Sequence, residues 1–86
     1  MRRYTSIPAL SGKQLIKLLK SDGWALGKYS RHGLTLTKKI GNQTFVTFVP
    51  NISDSLPEGT LQAILGTKQT RIGKKGLLDL LNRYGL

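Results

Sequence analysis

Eighty-six residues with no cysteine, and fourteen Lys and Arg against four Asp and Glu for a formal charge of +10, describe one small domain that attracts polyanions. The missing thiols exclude disulfides and thiolate metal sites and suit a cytoplasmic protein. No apolar run reaches the roughly 20 residues of a membrane span, and no apolar stretch of a signal peptide follows the basic start Met1-Arg2-Arg3.

Residues 1–10 read as a loose lead-in ending in Ile7-Pro8-Ala9-Leu10. Ser11 and Gln14 have the spacing of a capping box. The helix they open carries Leu15, Leu18 and Leu19 on one face. Lys13, Lys17 and Lys20 form a stripe on the other, which is either a solvated face or a phosphate-contacting one. Asp22-Gly23 ends the helix, with Gly23 placed for the left-handed position.

Trp24 to Arg31 reads as a first strand, with Trp24 capping the core. Gly33 opens a second strand, alternating through Leu34, Thr35, Leu36 and Thr37 and continued by Lys38 and Lys39. After the Gly41-Asn42 turn, Gln43 to Val49 is a third strand, rich in β-branched and aromatic residues and stopped by Pro50. The turns between these strands are short, so an antiparallel meander is expected. Pro57 and Glu58 suit the start of a second helix with Leu61, Ile64 and Leu65 on its apolar face. Lys74 begins a last helix, with Leu77, Leu80, Leu81 and Tyr84 spaced for packing and Gly85 as its stop. The expected architecture is a single α+β domain over residues 1–86, a two-layer sandwich in the order α-β-β-β-α-α. Helices cover one face of a three-stranded antiparallel sheet and leave the other open.

The four carboxylates, Asp22, Asp54, Glu58 and Asp79, are scattered, unlike the clustered ligands of two-metal phosphoryl chemistry. One histidine without cysteine falls short of a zinc site, and no glycine-rich nucleotide fingerprint occurs. No cofactor or metal is therefore expected. Chemistry that needs neither remains open. RNA carries its own nucleophile in the 2′-hydroxyl. Cleavage needs a base for that proton, an acid for the leaving 5′-oxygen and cations for the phosphorane. Histidine, with an unperturbed pKa near 6.5, is the best single residue for the proton transfers. His32 is the only one in the chain, with Lys28, Arg31 and Lys38 nearby in sequence to stabilise charge and Tyr29 or Ser30 as auxiliary groups. Taken alone, a lone histidine in a basic strand is more often a structural residue.

The order of elements and the wording of the motifs point further. Ser11-Gly12-Lys13-Gln14-Leu15-Ile16-Lys17-Leu18-Leu19, closing at Gly23-Trp24, resembles the first helix of the HicA toxins, mRNA-cleaving partners of HicB antitoxins. Lys28-Tyr29-Ser30-Arg31-His32, Val46-Thr47-Phe48-Val49-Pro50 and Gly59-Thr60-Leu61-Gln62-Ala63-Ile64-Leu65 are similar to later segments of that family. The likeness covers roughly residues 7–84. It implies a fold like a double-stranded-RNA-binding domain, endoribonuclease activity on mRNA with His32 as the catalytic histidine, and an acidic antitoxin covering the His32 region. RNA contacts are expected from Lys28, Arg31, Lys38, Lys39, Lys13, Lys17, Lys74 and Lys75. The chain departs from the family's common Gly-Ser-His: Tyr29 precedes Ser30, and Arg31 separates Ser30 from His32.

A second reading is a non-catalytic binder of structured RNA on the same fold. Such domains set a lysine cluster at the start of the final helix against phosphates. Lys74-Lys75 has that place here.

Overall fold

The computed structural model describes residues 4–67 and 69–85. Its elements are α1 (Gly12–Ser21), β1 (Ala25–Ser30), β2 (Gly33–Ile40), β3 (Gln43–Val49), α2 (Glu58–Leu65) and α3 (Gly73–Tyr84). The order is the expected α-β-β-β-α-α, and the strands form one antiparallel sheet in the order β1-β2-β3. No helix among the described residues is long and apolar enough to cross a membrane.

The capping box of α1 is formed. Ser11 Oγ accepts from the Gln14 backbone N–H at 3.1 Å, and Gln14 Oε1 accepts from the Ser11 N–H at 3.0 Å. Two donors that the helix itself leaves unpaired are thereby satisfied. At the other end Gly23 takes a φ of 96°, and the Trp24 N–H returns to Leu19 O at 3.0 Å. The chain thus reverses straight into β1, with Trp24 buried at the junction.

Burial alternates along β2 and β3 and separates the two faces of the sheet. Leu34 pairs with Val49 and Leu36 with Thr47, and all four are buried. They meet Leu15, Leu18 and Leu19 of α1 and Leu77, Leu80 and Leu81 of α3 in one core. Thr47 is tolerated there because its hydroxyl donates to Gln69 Oε1 at 2.6 Å. On the opposite face Thr35 pairs with Phe48, Thr37 with Val46 and Lys39 with Thr44. On that face Val46 and Phe48 are 50% and 40% exposed. Helices α1 and α2 pack against β3, whereas every residue of β1 is exposed.

Three expectations change. The chain before α1 is docked rather than loose: the Tyr4 N–H donates to Asn82 Oδ1 at 2.6 Å, Asn82 Nδ2 donates to Tyr4 O at 3.1 Å, and Leu10 is buried. An amide side chain that reads both polar groups of one residue fixes the segment onto α3. Residues 1–3 lie outside the described residues. Strand β1 ends at Ser30, so Arg31 belongs to the turn. Helix α3 starts at Gly73, one residue before Lys74.

The start of α1 is also sewn to the segment after β3. The Lys13 N–H donates to Ile52 O at 3.1 Å and the Leu56 N–H to Leu10 O at 2.7 Å. Gly12 lies directly against the Pro50 carbonyl. This close approach sets α1 beside the end of the sheet where β1 turns into β2.

Candidate functional site

Arg31 and His32 are the two residues of the β1–β2 turn, between the paired Ser30 and Gly33. Neither is a usual hairpin-turn residue, and the local bonds explain how the turn is held. Ser30 Oγ accepts from the His32 backbone N–H at 3.3 Å and donates to Gly33 O at 3.4 Å. Gly33 is needed because a β-carbon there would meet Val49 O and Pro50 Cα. Ser30 therefore positions the turn. The imidazole of His32 is left exposed, and no side-chain hydrogen bond ties it to another described residue.

The cations expected to contact RNA fall into three places. Arg31 is exposed beside His32 in the turn, and Lys28 is exposed on β1, four residues before it. Lys13 joins this end through the chain of contacts just described, Gly33 against Pro50 and Pro50 against Gly12. Lys17 is exposed one turn further along α1. Tyr29, 63% exposed, pairs with Leu34 next to the turn.

Lys38 and Lys39 stand at the far end of β2. Lys38 is five residues beyond Gly33, about 17 Å along a strand, and is out of reach of a phosphate at His32. Its Nζ lies 2.8 Å from Asp22 O and 3.1 Å from Asp22 Oδ2, with the two side chains 27% and 20% exposed. The expected charge stabilisation by Lys38 at His32 is thus replaced by a structural role, locking the α1–β1 corner to β2. Lys38→Ala should cost about 1.5–3 kcal/mol, the usual worth of a charge-assisted hydrogen bond. Polyanion affinity should stay within about twofold. Chemical denaturation and RNA titration of the same variant check both. Lys39 is exposed on the open face of the sheet.

Lys74 and Lys75 are exposed in the first turn of α3. They line a groove of about 540 Å³ together with Glu58, Leu61 and the 5–10 segment. His32 is not part of that groove. Asp22 is engaged with Lys38 and Asp79 with Arg83 at 3.0 Å, and Asp54 is exposed in the connection after β3. The Glu58 carboxylate accepts from Gln62 Nε2 at 3.3 Å. No described carboxylate is in the strands or their turns.

One arrangement was not foreseeable from the residues alone. The α2–α3 connection folds over the outer edge of β3, where Gln69 Oε1 also accepts from the Phe48 N–H at 3.4 Å. The Arg71 guanidinium lies 4.7 Å from the Phe45 ring centroid, at a backbone φ of 62°. A basic, polar connection carries no local signal for such a long-range contact.

The turn therefore forms an exposed end of the sheet with Arg31 beside one imidazole at its tip and no carboxylate within the strands or their turns. Compared with protein-family models, curated proteins and solved structures, the chain matches none.

Proposed function

We propose that the protein is a metal-independent endoribonuclease of the HicA toxin type, acting on mRNA in the cytoplasm and held inactive by an acidic HicB-type partner. The observation that carries this reading is His32 standing exposed beside Arg31 on a two-residue turn. A tip of this shape suits a polymer that lies across it better than a small molecule that needs enclosure. In the proposed step, neutral His32 removes the proton from the 2′-hydroxyl and the 2′-oxygen attacks phosphorus. The P–O5′ bond breaks, leaving a cyclic phosphate, and the 5′-oxygen takes a proton from a second group or water. Arg31 offsets the charge that develops on the phosphorane oxygens, and Lys28, on the same arm, adds to the field that attracts the RNA.

The test is cleavage of single-stranded RNA by the purified protein in EDTA. Products ending in cyclic phosphate are expected. Intact RNA after prolonged incubation with active-concentration protein would refute the enzyme.

The second reading, binding of structured RNA without cleavage, draws on the exposed Lys74 and Lys75 at the head of α3. Duplex binding with no cleavage, lost in a Lys74→Gln/Lys75→Gln double variant, would favour it.

A further inference from the structure

We infer that the open face of the sheet is a platform for single-stranded RNA, with a base of the strand stacked on Phe48. This rests on the ribonuclease reading and assigns to it a substrate-binding surface. Phe48 and Val46 stand on neighbouring same-face positions of β3, 40% and 50% exposed. Thr35 and Thr37 pair with them from β2, and Thr44 lies further along β3. An aromatic ring flanked by hydroxyls offers a base both a stacking surface and hydrogen-bond partners for its edges.

Charge favours the same ligand. Residues 25–49 contain no carboxylate, and Lys28, Arg31 and Lys39 among them are exposed. The open face ends at the Arg31-His32 turn on one side and carries the exposed Lys39 at the other. Backbone phosphates of a strand crossing this face meet cations at both ends. A second copy of the chain, also at +10, is repelled from the same surface. A duplex hides the faces of its bases in its own stack, so the strand must be unpaired.

The placement relative to His32 adds a functional meaning. Phe48 pairs with Thr35, two residues beyond Gly33, about 7 Å along the strand. A base stacked there belongs to a nucleotide neighbouring the phosphate at His32. Phe48 thus serves as a positioning residue that holds the substrate strand in place for the turn.

The experiment is titration of a fluorescent, non-cleavable 2′-O-methyl oligonucleotide against the full chain and three variants. Phe48→Ala and Phe48→Leu should bind about fivefold or more weakly, the range expected for one lost stacking contact. Phe48→Trp should keep its affinity, and its added indole fluorescence should be quenched by the oligonucleotide. The leucine variant retains the bulk of an apolar side chain, so it separates stacking from loss of fold, with thermal melts as the check. Equal affinity across all variants overturns the platform while leaving the ribonuclease reading intact. Absence of binding by the unaltered chain overturns both. Unchanged oligonucleotide binding together with lost binding of an acidic protein would assign the face to that protein instead.

Discussion

His32→Ala is expected to lower RNA cleavage by about 10²- to 10⁴-fold, the usual contribution of a positioned general base, with the thermal midpoint unchanged. The second half follows from the geometry. The imidazole is exposed, and the turn is held by the backbone N–H of His32, which alanine retains. Parallel cleavage and melting measurements decide the matter. Full activity in the folded variant would remove His32 from the chemistry. Loss of activity with loss of fold would mean that the turn matters structurally in a way the bonds do not show. Ser30→Ala provides a useful contrast, since Ser30 bonds only within the turn among the described residues. It should weaken cleavage through turn geometry, by less than His32→Ala, and should be partly rescued by Ser30→Thr.

Gly12→Ala should destabilise the domain by about 3 kcal/mol or more, at the upper end of overpacking costs. A domain of this length has roughly 4–13 kcal/mol in total. Alanine is the better helix former, and helix propensity alone would predict a gain. Packing reverses the sign here, because the new β-carbon would fall on the Pro50 carbonyl oxygen. Helix α1 then has to lift from the 50–56 segment, straining the Lys13–Ile52 and Leu56–Leu10 backbone bonds. Gly59, also in a first helical turn, has nothing within 4 Å of the same added atom. Gly59→Ala should therefore be neutral or slightly stabilising, within about 1 kcal/mol. Urea denaturation of both variants tests the comparison, and equal midpoints would show that the Gly12 contact relaxes freely.

Features encoded locally were legible in the sequence. The capping box of α1, its leucine face, the turn at Gly23 and the alternation along β2 each depend on residues a few positions apart. They specify element types and the side of the sheet that is buried. The antiparallel order follows once the connections are short. Features that depend on distant partners were not legible. Lys38 looks like a cation for the site until Asp22, sixteen residues earlier, is seen to hold it. The start of the chain looks loose until Asn82 is seen to bind Tyr4. The end of β1 was misplaced by one residue because Arg31-His32 lacks the glycine or asparagine that marks most tight turns. A serine hydroxyl takes over that work, and hydroxyls of this kind leave little trace in composition.

The exposure of β1 has a mechanical consequence. Its only strand partner is β2, its register slips between Leu26 and Tyr29, and it buries no side chain in the core. A strand anchored so lightly can part from the sheet at a small fraction of the global unfolding free energy, leaving the leucine core intact. The irregular register and Lys28 also make this free edge a poor template for another chain. The arm that presents His32 is therefore lightly held. Such an arm can move at little cost to the leucine core that supports it.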